Sequence, residues 1–206
     1  MSDNNLMCGI AEEICKRLEK ISKGNECIIA AIDGRCASGK TTAAEEIKKR
    51  CDCNVIQMDH FFLQPFQRTE KRLSEPGGNV DYERVFKEVL IPLEKGESFS
   101  YCPYDCHKQE MGEPVHIDLK RINIIEGSYS CHPFLGRFYD LKIFMTVDKE
   151  EQALRIKKRN GERGYINFKE KWIPLEEKYF SAFNVERGCD MVFDTGKPSV
   201  LRTAPL

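Results

Sequence analysis

Residues 27–42 read Cys-Ile-Ile-Ala-Ala-Ile-Asp-Gly-Arg-Cys-Ala-Ser-Gly-Lys-Thr-Thr, and this stretch decides the fold. Cys27–Ile32 is a short, continuous apolar run bounded by turn residues, the pattern of a parallel strand covered on both faces. Gly34 to Thr41 then satisfies G-x-x-x-x-G-K-[ST], and residues 40–50 read as helix. Glycines let the backbone turn tightly and approach an anion, while successive N–H groups and the positive end of the next helix hold it. A chance match would lack the strand before and the helix after; both are present. The segment therefore predicts a polyphosphate cradle made by Gly34, Ala37, Ser38, Gly39, Lys40, Thr41 and Thr42. In it Lys40 reaches the terminal phosphates and the Thr41 hydroxyl takes a Mg²⁺ position.

Outward from this core the pattern alternates. Leu6, Ile10, Ile14, Leu18 and Ile21 mark an amphipathic helix over about 6–21. Residues 54–58, 122–125, 141–147 and 191–193 read as strands, and 81–95, 148–160 and 168–185 as helices. Residues 63–80, with Gln64-Pro65 and Pro76-Gly77-Gly78-Asn79, read as loop. Strands alternating with helices predict a three-layer α/β/α fold of the P-loop NTPase type on a mainly parallel sheet, with residues 1–206 forming a single domain.

Composition narrows the function. The 206 residues are 41% hydrophobic and 32% charged, enough to bury a core. Lysine and arginine (32) balance aspartate and glutamate (33), a net charge of −1 that argues against a nucleic-acid binder. No apolar run approaches the ~18 residues of a membrane span, and Met1-Ser-Asp-Asn-Asn lacks a signal peptide's basic start and apolar centre, so a cytoplasmic protein is expected. Ten cysteines without paired C-x-x-C spacing then read as reduced thiols packed as small hydrophobes rather than as a zinc site.

Chemistry concentrates where strands end. Glu126, closing the strand over 122–125, lies at the crevice where open α/β sheets bind ligands and can hold Mg²⁺ directly or through water. Asp59 follows the strand over 54–58 and is the candidate base that orients an acceptor hydroxyl and takes its proton. Arg155, Lys157, Lys158, Arg159 and Arg163, interrupted by Asn160-Gly161 and Gly164, form a basic stretch at about 155–165 suited to a lid that closes over a triphosphate and stabilises the transferring phosphoryl group, or to a plain solvated helix face. No N-K-x-D segment marks guanine specificity. Arg68 and Arg72 fit either an acceptor contact or plain loop surface.

The set Gly34–Thr42, Asp59-His-Phe-Phe62, Tyr104-Asp105, Ile125-Glu126-Gly127 and Glu162-Arg163-Gly164 resembles the uridine kinase/phosphoribulokinase family over about residues 26–195. The resemblance implies ATP as donor, Mg²⁺, Asp59 as base, Glu126 on the metal side, Arg159 and Arg163 as the lid arginines that meet the transferring phosphoryl group, and acceptor binding by Asp81, Tyr104 and Glu126. It implies a small alcohol as partner, led by the 5′-hydroxyl of uridine or cytidine, with nicotinamide riboside, pantothenate, a sugar or a sugar phosphate as alternatives. A nucleotide-binding regulator without turnover is a further reading, opposed by the retained Asp59 and Glu126. Homo-oligomers are frequent in the family. Two departures stand out: the Phe of the family's Tyr-Asp-Phe is here Cys106 and its pyrimidine-reading His is Gln109, with His107 two residues early, and the arginine after Glu162-Arg163-Gly164 is Tyr165.

Overall fold

Strand β1 (Ile28–Gly34) is buried along its whole length, and its alternating side chains divide the molecule into two halves. Ile28, Ala30 and Ile32 face one apolar layer and Ile29 and Ala31 the other, as the two-residue period of a strand requires. The computed structural model describes residues 3–196 and 199–203, with side chains over 5–196.

The first layer is made by α1 (Asp3–Ser22) and α2 (Lys40–Lys48). Met7, Ile10, Ile14 and Leu18 from α1 and Ala43, Ala44 and Ile47 from α2 pack against β1 and its neighbours. After α2 come β2 (Cys53–Gln57), the short helices α3 (Glu70–Ser74), α4 (Tyr82–Arg84) and α5 (Ile91–Glu94), and four short strands, β3 (Phe99–Tyr101), β4 (Tyr104–Asp105), β5 (Glu110–Met111) and β6 (Val115–Ile117). The chain returns to the main sheet with β7 (Ile122–Glu126) and β8 (Leu141–Thr146). It continues through α6 (Lys149–Asn167) and α7 (Ile173–Phe183) to β9 (Met191–Asp194) and β10 (Ser199–Thr203). The sheet order is β10-β9-β8-β1-β7-β2, with β2, β7, β1, β8 and β9 parallel and β10 antiparallel. Helices on both faces complete the three-layer α/β/α architecture of the P-loop kinases.

Several expectations need correction. Residues 63–80 are not plain loop: a 3₁₀ turn spans Pro65–Gln67 and α3 follows it. Two small antiparallel pairs, β3 with β6 and β4 with β5, occupy a region where no strand was expected, and β10 was likewise unforeseen. The helix expected over 81–95 is broken: α4 passes into a π segment, Val85–Leu90, before α5 begins with Ile91-Pro92. A second π segment, Phe168–Trp172, stands in the same relation to Ile173-Pro174 at the start of α7. Proline has no N–H and its ring crowds the carbonyl four residues back, so the preceding turn widens.

All ten cysteines are free thiols, and Cys15, Cys36, Cys53, Cys131 and Cys189 are buried. Among the described residues no group of three or more His, Cys, Asp or Glu is arranged to hold a metal ion, and no helix is long and apolar enough to cross a membrane.

Candidate active site

The turn from β1 into α2 is locked from outside. Each of five consecutive carbonyls accepts a side-chain donor: Gly34 and Arg35 from Lys40 Nζ (2.7 and 3.0 Å), Cys36 from Gln152 Nε2 (3.0 Å), Ala37 from Arg155 Nη1 (3.3 Å) and Ser38 from Thr195 Oγ1 (3.0 Å). With its carbonyls engaged, the loop keeps N–H groups for an anion. Those of Ala37 and Gly39 donate to no protein acceptor among the described residues, and the first-turn N–H groups of α2 have no intrahelical partner by geometry. Gly39 caps α2 in the left-handed conformation (φ 90°). Gly34 runs so close to β8 that a Cβ would lie 1.9 Å from the Met145 carbonyl, which only glycine permits. Ala37 adopts φ 60° without being glycine, a strain that persists only where surroundings fix it.

A cavity of about 1270 Å³ opens over this turn. Ala37, Gly39, Lys40, Thr41 and Thr42 line it, with Asp59, Glu126, Arg155 and Arg159. β2 and β7 are parallel neighbours in register, Gln57 opposite Glu126, so the strand ends deliver Asp59 and Glu126 to the same rim. Thr41 Oγ1 donates to the two Glu126 carboxylate oxygens at 3.2 and 3.4 Å. Burial raises the Glu126 pKa above the usual carboxylate range and the nearby Asp59 charge adds to this, while Lys40 opposes it. A buried carboxylate bonded to one hydroxyl, both hard oxygen donors, fits Mg²⁺. Asp59 itself is exposed, on the 3₁₀ turn Met58–Phe61.

Other expected residues are placed differently. Gly34 and Ser38 are buried beneath the loop and do not reach the cavity wall. Asp81 is buried as the N-cap of α4, accepting from the Arg84 N–H (3.1 Å) and from Gln67 Nε2 (2.6 Å), and does not line the cavity. Tyr104 is buried on β4, also off the wall. Gln109 lies exposed in the β4–β5 turn, whereas Cys106 and His107 do line the cavity. α6 bends at Gly161 (φ 72°, ψ 173°). The bend leaves Arg159 on the wall, its guanidinium 5.5 Å from the Phe168 ring centre, and Arg163 exposed and outside it. Asp81, Tyr104 and Arg163 therefore do not line this cavity: a capping role, core packing and the helix bend set those side chains apart from it.

Three residues were missed. Asp33, fully buried, accepts from the N–H groups of Gly34, Tyr129 and Cys131 and from the Tyr179 hydroxyl at 2.7–3.1 Å; burial pushes its pKa up to about 6 against these bonds. Glu176 accepts from the Cys36 N–H and Ser128 Oγ, and Gln152 holds the Cys36 carbonyl. The acid inside an otherwise apolar strand was the readable signal for Asp33. Glu176 and Gln152 carry none, because each looks like one more polar residue of a charged helix.

Loop, strand ends and layers together define a P-loop nucleotide-binding fold. The uridine kinase of Ureaplasma parvum serovar 3 is 30% identical over 138 residues, covering 62% of this chain and 66% of that relative, a little under two thirds of its length. The uridine kinase of Clostridium novyi is 28% identical over 139 residues, covering 62% of this chain and 65% of the relative. In structure, a possible uridine kinase from Bacillus stearothermophilus matches 88% of this chain and all of its own with a TM-score of 0.63 at 18% identity, which shows the shared fold. No family model matches. The chain is thus similar in sequence to these uridine kinases over part of their length and shares the fold of the solved P-loop structure.

Proposed function

We propose that the protein is an ATP- and Mg²⁺-dependent phosphotransferase acting on the hydroxyl of a small molecule, with the 5′-hydroxyl of uridine or cytidine as the leading acceptor, and that it works in the cytoplasm. One observation carries this reading: a phosphate-type loop, the Thr41–Glu126 oxygen pair and the Asp59 carboxylate line one cavity. The uridine kinase relatives favour a nucleoside.

In this reading the loop N–H groups and Lys40 hold the β- and γ-phosphates, and Lys40 exchanges its bonds to the Gly34 and Arg35 carbonyls for phosphate oxygens. Thr41 and Glu126 hold Mg²⁺, whose positive charge offsets that gathering on the phosphates. Asp59 orients the acceptor hydroxyl and takes its proton as the phosphoryl group leaves ADP. Arg159, on the segment bent at Gly161, closes over the transferring group and excludes water. The test is ADP release from ATP and Mg²⁺ across a panel of alcohols; no acceptor stimulating release above background would sink the reading.

A second reading of the acceptor rests on Arg68. Its Nε donates to the Leu63 carbonyl (3.0 Å), which anchors the guanidinium at the cavity wall with no carboxylate partner among the described residues. A fixed, unpaired guanidinium suits a phosphate or carboxylate, so an anionic alcohol such as a sugar phosphate or pantothenate competes with the nucleoside. Comparing ribose with ribose 5-phosphate, and panthenol with pantothenate, in the same assay separates the two.

A further inference from the structure

Glu176 is an acidic side chain only 5% exposed. It comes from α7, yet both of its oxygens are spent in the donor half of the cavity. Oε2 accepts from the Cys36 N–H at 2.9 Å and Oε1 from Ser128 Oγ at 2.7 Å. Each partner precedes a non-glycine residue in the left-handed region: Cys36 precedes Ala37 (φ 60°), and Ser128 precedes Tyr129 (φ 75°). Such residues hold their conformation only where neighbours over-determine it. Ser128 lies two residues beyond Glu126, so one carboxylate spans the gap between the first turn of the phosphate loop and the strand end that carries the metal-side acid. The neighbouring α7 residues anchor the helix to the same place. Glu177 pairs with Arg35 at 2.7 and 3.2 Å, and the Tyr179 hydroxyl donates to Asp33 at 2.8 Å.

We propose that Glu176 is a positioning residue of the donor site, setting the spacing between the phosphate loop and Glu126 by bridging the Cys36 N–H and the Ser128 hydroxyl. The proposal rests on the reading of this cavity as a Mg²⁺-nucleotide site. Glu176 need not touch nucleotide or metal; its effect is that a phosphate tail held by the loop arrives where Thr41 and Glu126 can share a cation with it. Nucleotide binding without Mg²⁺ uses the loop alone and is insensitive to this spacing. The gain that Mg²⁺ adds depends on it.

Glu176→Gln keeps the shape but leaves one acceptor oxygen where two are needed, and its amide faces a donor. The experiment is calorimetric titration of the full chain with a non-hydrolysable ATP analogue, with and without Mg²⁺. The expected result is that Glu176→Gln loses about tenfold of the Mg²⁺-dependent gain in affinity, the effect of one hydrogen bond to a charged group, while Mg²⁺-free affinity stays within about threefold. Ser128→Ala, which removes only the hydroxyl, loses part of the same gain and serves if Glu176→Gln fails to fold. An undiminished Mg²⁺ gain in both variants, whatever their melting temperatures, overturns the proposal. So does tighter Mg²⁺-free binding in Glu176→Gln, which would make Glu176 a stand-in for a phosphate oxygen. Failure of the wild-type chain to bind the analogue at all overturns the underlying reading, a result distinct from a failure confined to the variants.

Discussion

The phosphate loop and the 63–117 segment wall the same cavity, yet they are held in opposite ways. The loop is nine contiguous residues whose carbonyls are pinned one after another by Lys40, Gln152, Arg155 and Thr195. The 63–117 segment is pieced together from short helices, a π turn and two-stranded fragments, and it reaches the cavity with scattered residues: Leu63, Arg68, Leu73, Asn79, Cys106 and His107. A donor site that must grip an invariant polyphosphate can be built from one local motif. On the proposed reading, an acceptor site suited to one particular alcohol is assembled from many small pieces.

If that contrast is right, the largest losses follow changes to groups that meet the reacting atoms. Asp59→Asn is expected to lower turnover by about 10²–10⁴-fold while ATP still raises the melting temperature; ADP release and thermal melts on one preparation check both halves. Lys40→Ala is expected to weaken ATP binding by about 10–100-fold, and an unchanged affinity in a calorimetric titration would remove the lysine from the cradle.

Two arginines in the acceptor half sharpen the contrast. Arg72 is consumed by structure: it bonds the Gly78 and Val80 carbonyls, the Tyr82 hydroxyl and both oxygens of Glu83, and lies 4.0 Å from the Tyr82 ring centre. Arg68 makes one bond, to the Leu63 carbonyl. Arg72→Gln is therefore expected to cost about 2–3 kcal/mol of stability in denaturant titrations. Arg68→Gln is expected to leave stability within about 0.5 kcal/mol and to raise the KM of an anionic acceptor about tenfold. Equal stability losses in the two variants would erase the distinction.

A pH effect comparable in size to the Arg72 loss sets the acceptor half apart in another way. His132 is stacked on Tyr82 (ring centres 4.2 Å apart), and burial pushes its pKa down to about 4, with the Arg72 charge acting in the same direction. The folded value lies below the unfolded one of about 6.5. The stability linked to neutral His132 is thus present above pH ~6.5 and is lost as pH falls toward ~4, by roughly 3 kcal/mol in all. His132→Phe keeps a ring in the stack, and its melting temperature should fall less over that interval. The smallest change is expected at Arg163: Arg163→Ala should stay within about twofold of wild-type turnover, whereas Arg159→Ala, on the cavity wall, should lose more.

How much was readable before folding follows the same division. Lys40, Thr41, Glu126 and Asp59 were legible because each sits at a fixed offset from a strand end, and strand ends in a parallel sheet meet along one rim. The placement of Asp81 and Tyr104 off the cavity wall was not legible, because sequence order gives no direction to a side chain in irregular backbone. Asp81 spends its oxygens on Arg84 and Gln67, and Tyr104 points into the protein. Arg163 was indistinguishable from Arg159 in a basic run until the bend at Gly161 separated them. Glu176 gave no signal, since its partners, Cys36 and Ser128, are 140 and 48 residues away along the chain.

The order of apolar runs and the glycine-lysine-threonine turn were enough to dictate a parallel sheet with an anion cradle at the C-terminal end of a central strand, because strand burial and loop conformation are local properties of neighbouring residues. Which acids and cations share the cavity, and which are spent on caps and carbonyls, was decided only when α6 and α7 folded back over the loop. Those contacts join residues far apart in the chain, and side-chain reach has no periodicity from which a sequence can declare it.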